Sequence, residues 1–179
     1  MVPVAMRRKA LGARDPIATT DRLIAFEHEH GQALFGFARR LGLPDGEAMD
    51  VVQDLFVRLY SQLDSGKPMT NDRGWAYQTT YRLAMDQHRA RRRQLAIVTR
   101  LEPQGATRDD RPDDRIVVWA AVDELPERQR AVVYLRYRAD MPFGEIARVL
   151  GITASAARSH AAQAMAALRR QLGAEEGAT

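Results

Sequence analysis

Two runs near the C-terminus constrain this chain most: Leu125-Pro-Glu-Arg-Gln-Arg-Ala-Val-Val-Tyr-Leu and then Pro142-Phe-Gly-Glu-Ile-Ala-Arg-Val-Leu-Gly-Ile-Thr. The second predicts a short helix, a tight turn and another helix. Pro142 starts the first helix, and Gly151 supplies the positive φ that the turn needs. The Thr153 hydroxyl can accept an orphan amide hydrogen bond at the start of the last helix, predicted to run from Thr153 to Leu172. Ile146, Ala147, Leu150 and Ile152 form the inner side, with Ala147 small where two helices cross. Ala157, Ala161, Ala164 and Leu168 recur at helical spacing and face inward. Ser155, Arg158, Ser159 and Ala162 are left outward, with His160 and Gln163 on the flanks. A helix so decorated can enter the major groove and reach base edges and phosphates. The plainer alternative is a helical hairpin with a solvated face.

Upstream, apolar residues also recur with a period near 3.6. Leu23, Ile24, Ala33, Leu34, Phe37, Ala38 and Leu41 predict a helix over 21–41, with a possible interruption at Gly31. Asp45 is a candidate N-cap for the next helix, on which Val51, Val52, Leu55, Phe56, Leu59 and Leu63 form the buried face. Asp50, Gln53, Asp54, Val57 and Arg58 occupy the opposite face. After the loop Ser65-Gly-Lys-Pro, a third helix runs from about Asn71 to Arg93. Trp75, Thr79, Leu83 and Met85 are its candidate core contacts. Residues 94–114 carry Pro103, Gly105, Pro112 and mixed charges without an apolar face, and read as a linker, partly helical at its start. No strand signal and no internal repeat appear. The expectation is an all-α chain of two small helical domains joined by a flexible linker, the C-terminal one containing a helix-turn-helix. The expected bounds are a tail at 1–20, a domain at 21–94, a linker at 95–114, a domain at 115–173 and a tail at 174–179.

Composition narrows the function classes. Basic residues number 27 against 23 acidic, a net charge of +4. All but Lys9 and Lys67 are arginine, which suits phosphate and guanine edges. A GC-rich genome would give the same bias. With no cysteine, disulfides and thiolate metal sites are excluded. No apolar run is long enough for a signal peptide or a membrane span, so a soluble, cytoplasmic protein is expected. His28, His30, His88 and His160 do not cluster into a metal-ligand pattern. There is no nucleophile motif and no phosphate-binding glycine loop. Neither an enzyme nor a bound cofactor is expected.

Three segments in series carry a family resemblance. Asp50-Val-Val-Gln-Asp-Leu-Phe-Val-Arg-Leu-Tyr resembles the polymerase-docking helix of bacterial extracytoplasmic-function (ECF) sigma factors. Arg73-Gly-Trp-Ala-Tyr through Met85-Asp-Gln-His-Arg-Ala-Arg-Arg-Arg is similar to the family's downstream-element helix. Leu125 through Leu172 resembles its upstream-element domain. The likeness spans roughly residues 21–172. It implies a subunit that binds core RNA polymerase and promoter DNA, and that an anti-sigma protein regulates. By position, Asp50, Gln53, Asp54 and Arg58 would dock on core polymerase. Tyr77, Tyr81, Arg82, Asp86, Arg89, Arg92 and Arg93 would hold the melted downstream element, where aromatic stacking and a basic track grip an unpaired strand. The loop Gly66 to Asn71 stands where the family captures an unstacked base. Thr153, Ser155, Arg158, Ser159, His160 and Gln163 would read the upstream element. The acidic linker residues Glu102, Asp109, Asp110, Asp113 and Asp114 would either mimic RNA in the polymerase or serve as a solvated spacer.

The chain departs from the family's pattern in two places. Thr79-Thr-Tyr-Arg82 replaces the usual Ile-Ala-Arg-Asn, and the last helix is alanine-rich and less basic, which implies weaker or altered upstream binding. An autonomous helix-turn-helix regulator, acting without polymerase, is the alternative.

Overall fold

The computed structural model describes residues 16–66, 68–98 and 115–176, and every regular element among them is helical. Three helices make the first unit: α1 (Pro16–Arg40), α2 (Asp45–Asp64) and α3 (Asp72–Val98). Four make the second: α4 (Arg115–Asp123), α5 (Glu127–Val133), α6 (Phe143–Leu150) and α7 (Ala154–Glu176), with a π-helical turn at Tyr134–Arg138 after α5.

Helix α1 starts earlier than expected and is not interrupted at Gly31. Pro16 suits a first helical position, where its missing N–H costs nothing, and the Thr20 hydroxyl donates to the Pro16 carbonyl at 2.8 Å. An interior glycine costs a helix about 1 kcal/mol relative to alanine. Burial of Leu34, Phe37 and Ala38 just beyond Gly31 outweighs that. Ile24, expected inside, is largely exposed. Gly42, at φ 89°, ends the helix.

Asp45 is not the N-cap of α2. Pro44 takes that position, and Asp45 is the first helical residue, its carboxylate paired with Arg39. There it still complements the helix dipole. Helix α3 has a side-chain cap: the Asn71 Oδ1 accepts the Gly74 N–H at 2.7 Å. Along this helix Thr80, rather than Thr79, is fully buried. The helix continues to Val98, beyond the expected start of the linker at 95. Residues 99–114, with all five linker acids, lie outside the described residues, as does the tail before Pro16.

In the second unit the turn signals act as expected. Pro126 and Pro142 immediately precede α5 and α6. Gly151 closes α6 at φ 65°, ψ 39°, and the Ala156 N–H donates to the Thr153 hydroxyl at 3.0 Å at the start of α7. Ala157, Ala161, Ala164 and Leu168 are all buried. Helix α7 runs to Glu176, so residues 174–176, expected in a frayed tail, are helical.

The two units pack on each other. One apolar core contains Leu34, Phe37 and Tyr77 from the first and Tyr134, Leu135 and Ile146 from the second. A smaller core of Val122, Leu125, Val133, Ala164 and Leu168 belongs to the second unit alone.

Gly151 tests the backbone argument by itself. A Cβ there would meet nothing within 4 Å, so Gly151→Ala carries only the left-handed backbone cost of about 1–2 kcal/mol. Its melting temperature should fall by roughly 2–4 °C per kcal/mol, with the helical circular-dichroism spectrum unchanged. An unchanged melting temperature would contradict the turn assignment.

Candidate nucleic-acid interface

Three helix faces carry the predicted site residues, most of which are exposed. The first is the outer side of α7. Its inner alanines pin it against α5 and α6, so Thr153, Ser155, Arg158, Ser159 and Gln163 are left in solvent. Short hydroxyl side chains beside an arginine leave room for a duplex to approach and offer both donors and acceptors. His160 sits differently: it is half-buried, and its Nδ1 is enclosed without a hydrogen-bond partner. The Gln163 carbonyl accepts from Gln129 of α5 at 3.3 Å.

The second face lies on α3. Arg82, Arg89, Arg92 and Arg93 are exposed along its length. Asp86 accepts from Arg89 at 2.6 Å, one helical turn away, and holds that guanidinium on the surface. The aromatic residues are placed otherwise than expected. Tyr77 is only 2% exposed, edge-on to Phe37 with ring centroids 5.3 Å apart. It is a core residue here and offers no stacking surface, because the second unit covers it. Tyr81 is half-buried beside Glu127 and Arg128 of α5. Burial raises the pKa of both phenols, against the lowering effect of nearby arginines. Trp75 is half-buried and lines a cleft of about 250 Å³ between α3 and α6.

The third face is on α2. Asp50, Gln53, Asp54 and Arg58 are all exposed and share one side of the helix, opposite buried Val51, Val52, Leu55 and Leu59. Val57 among them is 70% exposed, and Met49 and Tyr60 flank it in solvent. Helical periodicity alone does not mark Met49 or Tyr60; their signal is an apolar side chain standing off the buried stripe, on the same side of α2 as Val57. Among the described residues no group of histidine and carboxylate side chains could hold a metal ion, and no helix is long and apolar enough to cross a membrane.

Comparison with known proteins converges on one family. The Sigma-70 region 2 model matches residues 28–94 and the Sigma-70, region 4 model matches residues 115–168. The RNA polymerase sigma factor CnrH of Cupriavidus metallidurans is 31% identical over 160 residues, covering 82% of this chain and 84% of that protein. This chain belongs to the ECF sigma factors. The ECF RNA polymerase sigma factor SigL of Mycobacterium tuberculosis is 27% identical, covering 83% of this chain and 87% of its own. In fold, the chain is similar to the sigma factor RpoE in complex with the anti-sigma factor NepR from Bartonella quintana. That match has a TM-score of 0.69 at 20% identity, over 83% of this chain and 97% of that one. CnrH in complex with the cytosolic domain of CnrY matches with a TM-score of 0.58 at 26% identity, over 90% and 99% of the two chains. As a sigma factor, the protein directs promoter-specific transcription initiation by RNA polymerase.

Nothing local in the sequence marks the contact between regions 2 and 4 of this sigma factor. Its centre is Tyr134, whose hydroxyl donates to the Ala33 carbonyl of α1 at 2.6 Å. The ring packs 5.4 Å from Phe37 and 5.8 Å from Trp119. Arg40 pairs with Asp123 and lies 5.1 Å over the Trp119 ring. Burial pushes the Tyr134 phenol far above the ordinary tyrosine range, and nearby Tyr77 adds to the effect. The folded state therefore favours the neutral phenol. Its contribution is whole below about pH 10, the ordinary tyrosine pKa, and is lost as pH climbs beyond it. Wild-type stability should fall above that pH more steeply than that of Tyr134→Phe, measured as urea midpoints across alkaline pH. Parallel pH profiles would contradict the burial argument.

Proposed function

We propose a division of labour among the three faces. The outer side of α7 reads the upstream promoter element through Thr153, Ser155, Arg158, Ser159 and Gln163. The arginine track of α3, Arg82, Arg89, Arg92 and Arg93, holds the phosphates of the downstream element. The α2 face with Asp50, Gln53, Asp54 and Arg58 docks on core polymerase, and exposed Met49, Val57 and Tyr60 supply apolar contact. The observation that carries the reading is that each set of polar or charged side chains lies exposed on one side of a helix whose other side is core. Polymerisation belongs to the polymerase; this chain contributes binding alone and acts in the cytoplasm. An anti-sigma protein is its regulator, as NepR and CnrY partner the similar sigma factors.

The direct test is transcription in vitro on genomic fragments with core polymerase from a related bacterium. Discrete start sites that require the protein are expected, with a shared upstream sequence. Transcription without selectivity, or DNA binding that needs no polymerase, would overturn the reading.

Two substitutions separate the faces. Arg158→Ala should weaken promoter binding by the holoenzyme and flatten its log–log salt dependence by about one, with core affinity unaltered. Asp54→Ala should lower core affinity modestly and change its salt dependence, because single charges at a polar interface act mainly on association. The opposite pattern in either variant would reassign that face.

A further inference from the structure

Gln163 brings an amide to the outer side of α7, and an amide can read a base edge in two ways. With its N–H2 outward it donates, and suits the acceptors of guanine or thymine. With its carbonyl outward it accepts, and suits the amino groups of adenine or cytosine. What holds the amide therefore decides what it reads. Here the Gln129 amide of α5 donates to the Gln163 Oε1 at 3.3 Å. The separation of the two helices at this point is fixed by apolar packing on both sides. Ala131 and Val132 of α5 share one core with Ala157 and Ala161 of α7, and Val133 shares the other with Ala164 and Leu168. Gln129 is half-buried and Gln163 is exposed. Ala162 and Ala166, exposed beside Gln163, carry no polar group to compete for its amide.

We infer that Gln129 is a positioning residue for promoter specificity. It turns the Gln163 carbonyl back toward α5 and leaves the N–H2 outward as a donor, so that Gln163 selects guanine or thymine at one position of the upstream element. Gln129 itself touches no base. With alanine at Ala154, Ala156 and Ala162, few side chains of α7 can form hydrogen bonds to bases, so the orientation of one amide weighs more. This inference rests on the assignment of α7 to the upstream element.

The test is selection by the holoenzyme from double-stranded promoter fragments randomised across the upstream element and sequenced before and after binding. Gln163→Ala identifies the position that Gln163 reads, as the one whose preference it removes. There the wild type should favour guanine or thymine on one strand by about fivefold, the lower end for a base-edge contact. Gln129→Glu supplies a carboxylate, which only accepts; it would hold the Gln163 N–H2 and leave the carbonyl outward. The preference should invert, to adenine or cytosine on that same strand, and the inversion should vanish when Gln163→Ala is added. The new negative charge weakens binding to all sequences alike and cannot invert a preference. Gln129→Ala suits a helix and should flatten the preference without changing core affinity. An unchanged preference in both Gln129 variants would overturn the positioning role. Sequence selection by the α7 face with no position that depends on Gln163 would overturn this inference and leave the α7 assignment standing. A holoenzyme that binds the pool without upstream selectivity would overturn that assignment, and this inference with it.

Discussion

The Tyr134 phenol, buried between α1 and the second unit, ties the molecule together. An aromatic side chain buries roughly 150–250 Å², and a ring pair adds about 0.5–1.5 kcal/mol. The hydrogen bond to Ala33 adds about 1 kcal/mol. The Arg40–Asp123 pair is partly exposed and adds 1 kcal/mol at most, to order of magnitude. The packing of the two units therefore rests on a shared apolar core, in which Leu34, Phe37, Tyr77, Leu135 and Ile146 join Tyr134, with a thin polar margin.

Each unit keeps apolar contacts of its own. Val122, Leu125, Val133, Ala164 and Leu168 hold the second unit without help from the first. Helices α1 and α2 pack through Leu34, Phe37, Val51, Val52 and Leu55. The exposed faces of α2 and α7 stand off these contacts.

Much of this was legible in the sequence, for local reasons. The inner alanines of α7, the Gly151 turn and the Thr153 cap are signals within a few residues of each other, and the structure forms each of them. The α2 face followed from helical periodicity. The errors have physical causes as well. Asp45 has the chemistry of a cap, but Pro44 fixes an extended conformation one residue earlier, and Arg39 claims the carboxylate. On α3, buried Thr80 and expected Thr79 differ by a single position. Tyr77 and Tyr81 looked like stacking surfaces because the group that covers them, around Tyr134, is distant in sequence. Periodicity cannot report such a contact. Asn71, at the expected start of the third helix, donates to the Glu145 carboxylate of α6 only because the fold brings the two units together.

The central claim is that separate exposed faces of one chain bind core polymerase and the upstream promoter element. The chain has no cysteine, so Gln53→Cys on α2 and Ser159→Cys on α7, both at exposed positions, allow specific attachment of an environment-sensitive dye. The emission of the α2 dye should change when core polymerase is added, and that of the α7 dye when promoter DNA follows. No change at α2 on adding core polymerase, or none at α7 on adding promoter DNA, would contradict the account.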